Sequence, residues 1–159
     1  MNWILTALAG AALAAVAGVV WRRGLRAQAS ARRQLAVLRF AEQRPGLGEA
    51  FRAAADATGK PRGLKWVRCD LHPGETYALE PATGNFFALV GVTIGFEAIP
   101  GGGMEDVEAV GNLRVGTAVF VFRGEGWTTD GRAVLNLDPP QALEQYSESL
   151  DPVEVEAPA

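Results

Sequence analysis

The chain's one cysteine and one histidine fall in a single heptapeptide, Cys69-Asp70-Leu71-His72-Pro73-Gly74-Glu75, together with two acids. Thiolate, imidazole and carboxylate all ligate metals, and a loop can fold Cys69, His72 and Glu75 onto one centre. A Cys–His pair can also act as nucleophile and base. The inventory argues against both chemistries. No second His or Cys exists, and no CxxC pair, so a closed zinc shell would have to be completed by carboxylates. On a strand, Cys69 shares a face with Val67 and Leu71, where a thiol packs as a small hydrophobe. His72 precedes Pro73-Gly74 and reads as a turn residue. The expectation is therefore no catalytic residue, no metal and no cofactor. A lone thiol also excludes an intramolecular disulfide and suits a reducing compartment.

Two other clusters could bind a ligand. Gly101-Gly102-Gly103-Met104-Glu105-Asp106 has the glycines of a phosphate loop but no following Lys, Ser or Thr, and its acids repel phosphate. It reads as a mobile, exposed acidic loop, and Glu105, Asp106 and Glu108 are its candidate partner-binding residues. Trp127, Asp130 and Arg132 sit at a hairpin end, where Asp and Arg could hold a polar ligand or each other. They join Phe86, Val90, Phe96 and Phe120 as candidates for lining a pocket inside the curve of a sheet.

Charge is distributed unevenly. Twelve of the 15 Lys and Arg precede Cys69, against only Glu42, Glu49 and Asp56. After it, Arg114, Arg123 and Arg132 stand among all the remaining acids, although the net charge is only −3. The basic residues lack interleaved aromatics and the distal half repels phosphates, which excludes nucleic acid as a partner.

The elements that must position these groups begin with Trp3–Trp21, 19 residues without a charge. As a helix it spans about 28 Å, the thickness of a bilayer's hydrocarbon, with an indole at each end. A cleaved signal peptide would carry its basic residues before the apolar run. Here Arg22, Arg23, Arg26, Arg32 and Arg33 follow it, which predicts an uncleaved single-pass anchor (residues 1–21) with the body in the cytoplasm. Residues 22–45 predict a basic helical stalk ended by Pro45, either solvated or lying on anionic lipid.

A separate helix over Leu47–Thr58 follows, with Leu47, Ala50, Phe51, Ala54 and Thr58 on one face and Gly59 as its terminator. Strands begin at Leu64. The strongest signal is Phe86–Ile99, whose even positions are all apolar, with Gly91 and Gly95 as places to bend or bulge. Leu113–Arg123, Trp127–Thr129 and Arg132–Leu137 complete about five antiparallel strands. Asp138-Pro139 caps a short helix with Leu143, Tyr146 and Leu150 as its apolar stripe. The expected fold is α+β: anchor and stalk, then a helix packed on a curved antiparallel sheet, with a domain over 46–150 and a disordered acidic tail over 151–159. The expected function is a membrane-tethered, non-enzymatic module offering this domain to a protein with a basic surface. The alternative is a small-ligand-binding or hydrolytic domain with its pocket in the curved sheet.

Overall fold

A computed structural model describes residues 2–155, with side chains described from Val16 onward. The uncharged Trp3–Trp21 run, and with it the expected anchor, falls for the most part outside the residues with described side chains. Among the described residues, no helix is long and apolar enough to cross a membrane. The fold is α+β: one long helix, a seven-stranded antiparallel sheet and a short second helix. The elements are α1 (Asn2–Ala57), β1 (Leu64–Leu71), β2 (Thr76–Glu80), β3 (Asn85–Ala98), β4 (Arg114–Arg123), β5 (Gly126–Thr128), β6 (Ala133–Leu135), α2 (Pro139–Gln145) and β7 (Asp151–Val153). The chain divides into two compact units, Met1–Leu35 and Ala36–Ala159.

The sheet is organised on β3, as its alternation predicts. Phe86, Ala88, Val90, Val92, Ile94 and Phe96 all lie in the main hydrophobic cluster. β4 pairs along one edge of β3 from Phe86 to Ile94. On the other edge, β1 and β2 lie end to end: Leu71 faces Val92, and Thr76 faces Leu89. Four residues, His72 to Glu75, therefore stand opposite two, Val90 and Gly91. The far edge of β4 repeats the device, with β6 ending at Ala133 opposite Ala118 and β5 at Thr128 opposite Val121. There Thr129 to Arg132 stand opposite Val119 and Phe120. The seven strands are thus a four-arm meander whose two outer arms are interrupted at neighbouring levels, plus β7 beside β2.

Both interruptions hold α1. On one side, Arg44 donates to Glu75 at 2.7 Å and also to the His72 carbonyl. On the other, Gly131 (φ +77°) lies so close to the helix that a Cβ would stand 2.6 Å from the Ala54 carbonyl carbon. No side chain fits there. Beyond it, Trp127 donates its indole N–H to the Ala36 carbonyl at 2.7 Å, and its amide to Gln43 Oε1 at 2.8 Å.

Those contacts explain the first difference from expectation. α1 does not stop at Pro45; the proline lies inside one helix, and the second compact unit begins at Ala36 rather than at residue 46. Ala36, Val37, Phe40, Leu47, Phe51 and Ala55 are all buried and follow one helical stripe through the proline. Pro45 is exposed, as is Ala41, whose carbonyl loses its helical donor. Burying the stripe outweighs one missing hydrogen bond. Phe40 meets Tyr77, Phe120 and Trp127 edge-on with centroids 5.2–6.1 Å apart, a geometry that adds about 0.5–1.5 kcal/mol per pair to the burial itself. Leu35 and Leu38 point away from this stripe and are 40% and 49% exposed, and Ala55 rather than Ala50 is buried. The helix ends as its sequence predicts, with Gly59 at φ +64°.

Three further expectations are corrected. The glycines of β3 do not bulge; the register shift is in β1, between Trp66 and Arg68. Gly91 and Gly95 instead admit neighbouring side chains, since added Cβ atoms would stand 2.9 Å from His72 Nδ1 and 3.1 Å from Arg68 Cβ. The acidic tail is not wholly disordered: Asp151–Val153 forms β7, and Val153 and Val155 pack against the core. Alternating Val153 and Val155 give this short segment a strand's apolar side despite its acids. The predicted cap on α2 is present, with Asp138 accepting from the Gln141 amide at 2.8 Å in a full capping box. Its buried residue is Ala142, while Tyr146 is 44% exposed.

Candidate functional site

The Cys–His–acid heptapeptide does not converge. Cys69 pairs with Ile94 and packs partly against the core on the α1 side of the sheet. Burial pushes its thiol up to about 11, against a smaller pull downward from Arg52. A thiol held neutral is a poor ligand and a poor nucleophile. His72 lies over Gly91 and meets Thr93 Oγ1 at 2.8 Å through Nε2, on the opposite face. Glu75 is taken up by Arg44 and by the Tyr77 hydroxyl, which donates to it at 3.2 Å. Burial, then the Glu75 charge, raise the Tyr77 phenol. Strand alternation is the reason: Cys69 and His72 are an odd number of residues apart and so leave the sheet on opposite sides. Among the described residues, no three His, Cys, Asp or Glu side chains gather where a metal ion could be held.

The Gly-rich loop is exposed but not loose. Ile99 donates to the Gly63 carbonyl at 2.8 Å, and a Cβ on Gly63 would stand 2.6 Å from the Gly102 carbonyl oxygen. A 3-10 turn over Glu108–Gly111 continues the tethering. Glu105 accepts from the amides of its own loop, its own first and Gly101's next, and these bonds hold its carboxyl below the usual range. Asp106 and Glu108 are exposed. Of the three candidate partner contacts, Glu105 is thus already occupied within its loop.

The pocket candidates separate into two groups. Phe86, Val90, Phe120 and Trp127 are 0–6% exposed and belong to the main cluster, filled from above by Phe40 and Phe51 of α1. The sheet's helix-side face is therefore solid at these positions. Asp130 and Arg132 lie on the surface, 3.8 Å apart and about 70% exposed. They border two clefts. One, of about 510 Å³, is lined by Phe96 with Trp66, Lys60 and Leu135 near the end of α1. The other, of about 460 Å³, lies over Phe87, Val119 and Val121 on the face away from α1.

The second cleft adds a residue that sequence reading did not single out, Arg123. The signal was available. Val119, Val121 and Arg123 alternate along β4 and so share a face, while the buried set Ala118, Phe120 and Phe122 takes the other. Gln43 and Arg44 were likewise missed as anchors, because their partners are 84 and 31 residues away. In the first unit, Arg22, Arg23, Arg26 and Arg32 are exposed and Arg33 is half-exposed.

Comparison with family models, with curated proteins and with solved structures returns no match.

Proposed function

We propose that the chain is a non-enzymatic module held at a membrane by Trp3–Trp21, whose Ala36–Ala159 unit is offered to a protein partner on the cytoplasmic side. The observation that carries this reading is the end of the uncharged run. Val16, Val19, Val20 and Trp21 are 60%, 50%, 63% and 72% exposed within a helix. Large apolar side chains left in water each forgo roughly 1.5 kcal/mol or more of burial, which a bilayer would restore. Five arginines follow directly, and positive charge at one end of a span keeps that end in the cytoplasm. The second unit supports the reading from its own side, since the buried hydrophobic cluster lies entirely within Ala36–Ala159. For the partner, Asp106 and Glu108 remain available in a distal half with few cations, which would steer a basic surface toward them.

The test is extraction and topology together. The full chain should stay in the membrane pellet at alkaline pH and high salt. A C-terminal reporter should be active as a cytoplasmic fusion and silent as an exported one. Release by alkali, or a mature N-terminus near Gly18, would reject the anchor.

A further inference from the structure

The face of the sheet turned away from α1 is only partly covered. Helix α2 packs on β2, β3 and β4, and Ala78, Leu89, Thr117 and Ala142 are buried outside the main cluster. Toward the β5 end the same face is open, and there the cleft of about 460 Å³ is found. That volume falls among small-molecule sites, which run from ~300 to 1,000 Å³. Its floor is one rung of the sheet: Phe87 stands opposite Val121, and Val121 opposite Thr128. Val119 lies one step along. Phe87, Val119 and Val121 are only half-buried, so an apolar body laid on them would remove further surface from water.

The rim is cationic in an acidic half of the chain. Only three Lys or Arg follow Arg68, and two of them, Arg123 and Arg132, border this cleft. None of the ion pairs among the described residues involves Arg123. Arg132 has only the loose, exposed contact with Asp130, whose carboxylate is engaged by the Arg132 amide at 3.0 Å. A guanidinium presents a fork of donors that matches a carboxylate or phosphate. We propose that this cleft binds a small molecule combining one anionic oxygen group, carboxylate or phosphate, with a flat apolar body. Arg132 stands beside Val119 at one end of this floor and Arg123 at the other, so the head group lies on one of the two arginines and the body covers Phe87, Val119 and Val121. This is a binding site on the outer face of the sheet, separate from its helix-filled interior.

Full-length protein in nanodiscs of neutral lipid, with empty nanodiscs as the blank, tests it by ligand-observed NMR titration. The probes are 3-phenylpropanoate, phenyl phosphate, 3-phenylpropanol and acetate. At least one of the first two should bind. The alcohol lacks the charge and acetate lacks the body, so each should be about tenfold weaker or worse. Arg123→Gln or Arg132→Gln should weaken the bound probe about tenfold. Arg114→Gln, an exposed arginine outside the cleft, should change nothing. Both cleft arginines are exposed, so these variants keep the fold. No binding of either aromatic anion at millimolar concentration would overturn the proposal. So would equal binding of the alcohol, or undiminished binding in both cleft variants.

Discussion

The two faces of the sheet carry the same alternating strands to opposite ends. Toward α1, every inward residue of β3 from Phe86 to Phe96 meets an aromatic or aliphatic partner, and the helix is fixed at three places by Arg44, Gly131 and Trp127. Away from α1, α2 is only seven residues long and covers one part of the surface. The remaining part keeps half-buried apolar side chains next to Arg123, which joins none of the described ion pairs, and Arg132, held only loosely by Asp130. Where α1 fills the helix-side face, over Phe86, Val90, Phe120 and Trp127, no room is left for a ligand and any change carries a large penalty. A face left partly open can bind without disturbing the fold. Stability and recognition are thus assigned to different sides of the same strands.

The most damaging change would be to cut the helix where sequence reading places the boundary. A chain starting at Ala36 should unfold cooperatively on heating or in urea. A chain starting at Gly46 loses Ala36, Val37 and Phe40, together with the groups that bond Trp127 and Glu75. Loss of a buried Phe alone costs ~3–5 kcal/mol, a large part of the ~5–15 kcal/mol that keeps a domain folded. The shorter chain should show no cooperative transition by circular dichroism. A sharp transition in it would mean that residues 36–45 are dispensable, and the helix-side face less demanding than its packing indicates.

Paired substitutions on the central arms sharpen the contrast between faces. Phe120 is fully buried against Phe40 and Phe51, while Phe87 is half-buried on the open side. Phe120→Ala should lower the unfolding free energy by ~3–5 kcal/mol, and Phe87→Ala by roughly 1 kcal/mol, because less of its surface is withdrawn from water. Chemical denaturation of the two variants measures the difference directly. Equal losses would show that the outer face is packed as tightly as the inner one, and would remove the basis for a cleft there.

What was legible in the sequence follows the same division. The alternation of Phe86–Ile99 and the Asp138-Pro139 cap are local patterns, and both are present as read. Pro45 carries the signal that ends most helices, and only the distant partners Trp127 and Glu75 show why this helix runs through it. Asp151–Val153 has too little apolar content to announce a strand, and becomes one through its pairing with Tyr77–Leu79. Asp130 and Arg132 were legible as surface groups at a hairpin. Their association with Arg123 required the β4–β5 register, which places Gly126 opposite Arg123 and Thr128 opposite Val121. Local signals survive a reading of the chain, whereas groups joined only by sheet register do not.

The smallest predicted effect concerns the thiol on the closed face. Cys69 titrates at about 11 in the folded chain, against 9.0 for an ordinary thiol, because burial disfavours the thiolate more than Arg52 favours it. Between those values the unfolded chain has released the proton and the folded chain still holds it. Stability should therefore fall as pH rises through that interval and be unaffected by this group below it. The thiol is only partly buried, so solvent softens the effect on stability, and reactivity is the better readout. Alkylation of native protein by iodoacetamide should rise with pH toward a midpoint near 11, and urea-unfolded protein should react with the midpoint of a free thiol. Arg52→Gln should move the native midpoint further up, since it removes the one positive charge that lowers it. A native midpoint at or below 9 would place Cys69 in solvent, and with it part of β1 on the open side of the comparison.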